Sequence, residues 1–376
     1  MTLSRILFVA LAVWAATVAV PAAAPADPPQ VAVPVIRSGQ ELYLAACAAC
    51  HGADGTGVAR ASLGFDVEVP DFTECSFATP EADADWLAVA HQGGPVRAFD
   101  RRMPAFGEAL SEDELLRIIG HVRTFCGSRD WPRGELNLPR ALVTEKAFPE
   151  NEAVWTTAMT ASDTDEIGNE LLFERRFGAR NQFEVVVPVM LQRDLGAGWS
   201  RGLGDVAVAV KRVLFHSLEA GRILSVAGEV VLPTGKESAG LGKGITVFEP
   251  FLAFGQILPS DGFVQVQAGA ELPAGGEDTT AETFARLAIG KTFVQGRFGR
   301  SWSPMIEVLA ARDMEAGERI TWALVPQMQV SLSKRQHILL SGGLHIALNA
   351  TAGRDVQVLT YLLWDWWDGG FFSGWR

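Results

Sequence analysis

Five consecutive residues, Cys47-Ala48-Ala49-Cys50-His51, hold the densest chemistry in the chain. Two thiols separated by two residues lie on one short turn, and both can reach the same flat ligand. An imidazole directly after them stands beneath whatever the thiols hold. This is the attachment pattern of a c-type haem, in which each thiol adds to a vinyl group and the histidine becomes the proximal iron ligand. The thiols alone would also suit a redox dithiol or half of a zinc site. The adjoining His51 and an export-type N-terminus favour the haem.

A haem iron held by one histidine needs a sixth ligand. Met103 is the candidate, in Arg102-Met103-Pro104-Ala105-Phe106-Gly107, where the proline stiffens the segment that presents the sulfur. His91 would give bis-histidine ligation, and His121 falls among apolar neighbours in a helix. A thioether raises the reduction potential relative to a second imidazole. It also closes the position where oxygen would bind, so the expectation is one-electron transfer and not catalysis at iron.

Helices must position these groups. Ser38-Gly39-Gln40-Glu41 and Ser111-Glu112-Asp113-Glu114 both have the form of a capping box. The first opens a helix bringing Leu42, Tyr43 and Ala46 to the thiol turn. The second opens one carrying Leu115, Ile118, Ile119, Val122 and Phe125 at helical spacing, with Gly127 available to close it. Thr79-Pro80 predicts a third start, Thr79 capping and Pro80 at the first helical position, with Trp86, Val89 and Ala90 on one face. Cys75 and Cys126 are left over, either as a disulfide or as two buried thiols; an oxidising compartment favours the bridge.

The run Tyr43-x-x-x-Cys47-x-x-Cys50-His51-Gly52-x-x-Gly55-x-Gly57, with Met103-Pro104-Ala105-Phe106-Gly107 and the Leu110-Ser111-x-x-Glu114 helix start, resembles class I monohaem cytochromes c. The resemblance implies a small all-α fold over about residues 36–128 around one covalent haem c, with His51 and Met103 as axial ligands. Cys75 and Cys126 are not part of that general pattern.

Residues 1–26 read as a signal peptide. Arg5 is followed by an apolar stretch from Ile6 to Val20 and by small residues around Ala22-Ala23-Ala24 and Ala24-Pro25-Ala26. Beyond it no apolar run is long enough to cross a bilayer as a helix. The net charge of −12 without a basic cluster argues against nucleic acid. Residues 129–152, punctuated by Pro132, Pro139 and Pro149, lack periodicity and read as a linker.

From about residue 153 the period becomes two. Phe183, Val185, Val187 and Val189 alternate with more polar or smaller neighbours, as do Val206, Val208 and Val210, and Ile338, Leu340, Leu344 and Ile346. Such segments occur near 154–161, 166–177, 181–191, 203–215, 222–232, 245–257, 262–272, 282–293, 302–312, 319–332, 337–348 and 355–367. Short turns such as Gly178-Ala179-Arg180 alternate with longer, glycine-rich loops such as Pro233 to Gly244. An even number of strands with that asymmetry predicts an all-β antiparallel barrel in the outer membrane, residues 153–376, of about 12 strands. Trp155, Trp199, Trp302, Phe177, Phe215, Phe293, Trp366 and Trp367 would form interfacial girdles. A soluble β-sandwich also alternates, and Pro188, Pro250, Pro326 and the C-terminal Gly374-Trp375-Arg376 count against the barrel.

Gly202-Leu203-Gly204-Asp205 opening one strand and Leu232-Pro233-Thr234-Gly235-Lys236 ending the next resemble an outer-membrane channel family linked to phenol-degradation pathways. That resemblance implies a channel or transporter barrel. The inward faces would carry Glu184, Asp205, Lys211, Glu229, Glu249, Glu271, Arg286 and Glu307, read as lumen solvation and internal salt bridges. His337 and His345 read as lumen residues. A domain of about 100 residues is too large for the lumen of such a barrel, so the haem is expected to hang beneath it, on the periplasmic side. The expected function is electron transfer with periplasmic redox proteins, the barrel contacting outer-membrane lipid. The alternatives are a redox-gated transporter of an unassigned small molecule, or a cytochrome–porin oxidising an extracellular donor such as ferrous iron.

Overall fold

The structure is a computed structural model, and it describes residues 36–160, 166–194, 198–275, 279–349 and 356–366. The expected signal peptide, Trp367 and the final Gly374-Trp375-Arg376 lie outside them, as does the side chain of Trp199.

The first part is helical: α1 (Gly39–Ala46), α2 (Ala48–His51), α3 (Arg60–Leu63), α4 (Cys75–Ala78), α5 (Asp83–Gln92) and α6 (Glu112–Val122). Both capping boxes form, with the Ser38 and Ser111 hydroxyls accepting from the Glu41 and Glu114 amides. α1 and α6 cross so closely that a Cβ on Gly39 would lie 2.1 Å from the Arg117 carbonyl oxygen. Leu42, Tyr43, Phe72, Leu87, Leu115, Ile118, Ile119 and Val122 make the core.

The helix start expected at Thr79-Pro80 is displaced. α5 begins at Asp83 after Ala82, and Thr79 closes α4 instead, its hydroxyl donating to the Cys75 carbonyl at 2.7 Å. The open Asp83 amide is met from outside the helix, by the Glu135 carboxylate at 3.1 Å.

The second part is a closed barrel of β1 (Glu152–Thr160), β2 (Glu166–Phe177), β3 (Asn181–Asp194), β4 (Gly198–Leu203), β5 (Val206–Ser217), β6 (Arg222–Leu232), β7 (Val247–Leu258), β8 (Gly262–Pro273), β9 (Glu282–Lys291), β10 (Phe293–Val294), β11 (Ser301–Asp313), β12 (Thr321–Ser331), β13 (Ile338–Ala347) and β14 (Val356–Asp365). All neighbours are antiparallel. β1 pairs with β14 and β9 with β11, which closes the ring. β4 and β5 are two halves of one strand against β3, and β10 is a two-residue ladder, so twelve strands make the wall.

Proline explains the broken strand. Val189 pairs with Leu203 and Val186 with Ala207, so the gap at Gly204–Asp205 falls opposite Pro188, which has no N–H to offer. The free Pro188 carbonyl takes the Gly204 amide at 3.0 Å.

The barrel inverts the polarity of a soluble protein. Trp155, Leu171, Phe173, Phe183, Val210, Leu252, Ile306, Trp322, Leu340 and Val358 face outward and exposed, whereas Glu174, Gln182, Lys211, Gln265, Gln267, Glu307, Gln327 and Ser341 face inward and are buried. A sandwich would bury the apolar face, so the period-two pattern resolves as barrel.

The segment that reads as a linker lies inside this barrel. Leu136, Leu138, Ala141, Ala147 and Phe148 are buried, and so are Arg140, Thr144, Lys146 and Glu150. The segment is bonded to the wall right around the ring. The Tyr361 hydroxyl donates to the Arg140 carbonyl at 2.7 Å, Gln265 to that of Pro139 at 2.7 Å, Ser225 to that of Ala147 at 2.5 Å and Lys211 to that of Lys146 at 3.1 Å. Gln182 accepts from the Glu150 amide at 2.7 Å and Gln267 from the Glu145 amide at 3.0 Å. Glu307 accepts from three successive amides, Leu142 and Val143 at 3.1 Å each and Thr144 at 2.6 Å, and from the Thr144 hydroxyl at 2.5 Å. This is a plug. A chain buried among polar groups carries polar residues of its own, which is why hydropathy hides it.

Candidate haem site

The turn that carries the thiols is fixed by Tyr43. Its fully buried hydroxyl donates to the carbonyls of Gly52 at 2.7 Å and His51 at 3.3 Å, and burial pushes it up to about 12. The His51 and Cys50 amides turn back onto the Cys47 carbonyl, so both thiols and the imidazole project from one turn and a half of helix.

They open onto a cavity of about 530 Å³. Cys47, Cys50 and His51 line one side and Met103 belongs to the same lining, with apolar walls that include Phe72, Trp86, Phe106 and Ile119. The methionine segment reaches the cavity because α5 ends at Gly93, φ 80°. There a Cβ would stand 3.0 Å from the Met103 carbonyl oxygen and 3.1 Å from the Ala105 nitrogen. The Gly94 amide donates to that carbonyl at 3.0 Å, and the Phe106 and Gly107 amides tie the segment to Ala90 and His91.

The two rival histidines stand elsewhere. His91 packs near Phe298 and Arg297, and His121 meets Tyr43 and Phe125 edge-on; neither lines the cavity.

The residues present fit a haem. Cys47 and Cys50 are free thiols, not bonded to each other. Burial, with the neighbouring Cys50 adding to it, pushes Cys47 up to about 11, and burial pushes His51 down to about 4, so the imidazole is neutral, as an iron ligand must be. Among the described residues its buried Nδ1 has no hydrogen-bond partner, and its ring stacks on Phe72 at 4.7 Å. Among the described residues, the group of three acidic, histidine or cysteine side chains able to converge on one small ion is Glu145, Glu174 and Glu184, inside the barrel; the thiol turn is not such a group. Cys75 and Cys126 form a disulfide that clips the start of α4 to the chain just beyond α6, and α6 contributes Ile118, Ile119 and Val122 to the cavity wall.

Two wall residues come from the barrel, and sequence reasoning missed them: Arg335 and His337, in the turn between β12 and β13. His337, expected in the lumen, points into the helical part instead. Its Nε2 lies 3.3 Å from Glu81 Oε2 and its Nδ1 2.9 Å from Asp365 Oδ1. Nearby, the Arg97 guanidinium, held by Asp85, donates to the Phe298 carbonyl at 2.8 Å, Arg335 covers the Phe99 ring, and Arg297 pairs with Glu112. The one available signal was spacing, since His337 falls just before β13 begins. Of the other inward residues, Lys211, Arg286 and Glu307 bond the plug, whereas Asp205 holds the Gly235 and Lys243 amides of a loop.

Residues 34–122 match the family model described as cytochrome c oxidase, cbb3-type, subunit III. No curated protein matches. Among solved structures, the chain is similar to an outer-membrane channel from Pseudomonas putida F1 (14% identity, 60% of this chain and 99% of that one, TM-score 0.43). It is also similar to the KdgM porin (10% identity, 57% and 99%, TM-score 0.39) and to the NanC porin (8% identity, 57% and 98%, TM-score 0.40). The chain thus carries a cytochrome c domain over residues 34–122, joined to a closed antiparallel barrel of twelve strands.

Proposed function

We propose that the protein is an electron-transfer cytochrome fixed to the outer membrane. Cys47 and Cys50 would hold one haem c covalently, and His51 and Met103 would ligate its iron. The observation that carries this reading is the convergence of those four side chains on one apolar cavity. When bound, the haem supplies one-electron exchange. Tyr43 orients the thiol turn, Gly93 lets the methionine segment approach, and Phe72, Trp86, Phe106 and Ile119 keep water away from the ligands. With His51 and Met103 both holding the iron, the site would exchange electrons with redox proteins and would leave iron no position for a substrate.

An outward apolar face and a polar interior support placing the barrel in a bilayer. The cytochrome domain bonds to the barrel end that carries the short turns and both barrel termini, which is the periplasmic end of such barrels. The plug argues for a barrel that holds the domain, over an open porin. A hydrocarbon layer about 30 Å thick argues against direct oxidation of an extracellular donor.

Density-gradient fractionation with haem staining tests the reading. A haem-positive band of this mass in the outer-membrane fraction, with the absorption band of a methionine–iron bond, is expected. Haem in the soluble fraction, or an outer-membrane protein free of haem, would overturn it.

A further inference from the structure

The haem cavity has a charged corner that electron transfer alone does not require. Glu81, Asp85, Arg97, Arg335 and His337 all belong to its lining, together with Glu68, Asp100 and Arg102 and a mostly apolar remainder. Glu81 sits between the two parts of the molecule, facing His337 Nε2 at 3.3 Å. Behind His337 stands Asp365 of β14. Asp85 of α5 is held by Arg97 and reached by Gln336 at 3.4 Å, and Arg123 reaches the Glu81 carbonyl at 2.8 Å.

We propose that Glu81 takes up a proton when the haem takes up an electron, and that the β12–β13 turn of the barrel, through His337, sets the pH at which it does so. This deepens the haem reading and rests on it. An electron added to a cavity walled mostly by apolar side chains is costly unless a charge of opposite sign follows it. The electron comes from the redox partner. The proton comes from solvent and converts the Glu81 carboxylate to the carboxylic acid, so the cavity's net charge is unchanged.

The surroundings suit the task. Burial, and then the charge of Asp85, push Glu81 up to about 8 against the pull of His337. For His337, burial acts to lower it, but Asp365 and Glu81 hold it well above the usual histidine range. Asp365 and Glu81 thus favour the charged imidazolium, and Glu81 is the carboxylate that faces it across the cavity corner.

The test is a potentiometric titration of the intact holoprotein in detergent, followed by haem absorbance, across about pH 6 to pH 9. Reduction favours the protonated acid, so the potential is expected to fall as pH rises through this window. Glu81→Gln should flatten the dependence while leaving the haem spectrum unchanged. His337→Gln, which removes the cation that lowers Glu81, should move the window to higher pH. Redox-difference infrared spectra should show a carboxylic acid stretch on reduction that Glu81→Gln abolishes. A pH-independent potential in a protein with a normal haem spectrum would overturn the proposal, as would a wild-type dependence surviving in Glu81→Gln. A protein without any haem spectrum would overturn the haem reading itself, and this proposal with it.

Discussion

Glu307→Ala should unseat the plug. Its carboxylate is fully buried and is the acceptor for the Val143 amide, the Thr144 amide and the Thr144 hydroxyl, while the Leu142 amide keeps a second acceptor in Gln327 at 3.0 Å. Three plug donors are therefore stranded, as is the Gln327 Nε2 of the wall that also donates to Glu307, and each plug donor costs about 1–3 kcal/mol if nothing replaces the acceptor. Removing a buried carboxylate also relieves its own desolvation, and water entering the lumen meets part of the need. The lower end, about 3 kcal/mol, is thus the working figure, a shift of roughly 100-fold in plug seating. In planar bilayers the wild type should stay closed, and Glu307→Ala should show repeated openings. Glu307→Gln, which keeps one acceptor in place, should fall between. Equal conductance in all three would refute the anchoring role, and a wild type that conducts like an open twelve-stranded barrel would refute the closure.

Met103→Ala should retain covalent haem but lose the methionine–iron band and lower the reduction potential, both read on one redox titration. Cys75→Ser should destabilise the cytochrome domain by about 4 kcal/mol, from the chain-entropy value for the 51-residue separation the bond closes, measured by denaturant unfolding followed at the haem band. Tyr43→Phe leaves the Gly52 carbonyl without its 2.7 Å donor and should cost about 1–2 kcal/mol in the same assay. The Ser111 amide, Arg37 and the Ser111 hydroxyl hold Glu114 down to about 2, so its stabilisation of α6 is complete above the usual carboxylate range. It should be lost as pH falls through that range toward about 2, visible as earlier amide exchange in the first turn of α6.

The sequence made some of this legible for definite physical reasons. A capping box is a local reciprocal bond, and both boxes lie where Ser38 and Ser111 predict them. Strand bounds follow from period two because bilayer and lumen impose opposite polarities on adjacent residues. β6, predicted near 222–232, spans Arg222–Leu232. Thr79 failed because its hydroxyl had a nearer acceptor, the carbonyl of Cys75, in a turn whose first residue enters the disulfide. The plug failed because Arg140, Lys146 and Glu150 look like solvent-facing residues until Glu152, Glu174 and Gln182 are folded around them. His337 was misplaced because strand alternation says nothing of where a residue one step outside the strand will turn. The last two of these failures concern contacts between distant parts of the chain, which no local pattern encodes.

The plug also bears on how the molecule is put together. It precedes β1 in the chain, yet it lies within a wall whose last seam joins β1 to β14. Both of its ends lie at the end of the ring that faces the cytochrome domain, so it fills the lumen as a loop closed at its base. Glu152 and Glu174 are meanwhile partnered by Arg140 and Lys146, so a chain that closed without its plug would seal carboxylates into its lumen without those partners. The closed ring thus draws its counter-charges from the segment that follows the cytochrome domain, and a wall without that segment is disfavoured by its own buried carboxylates.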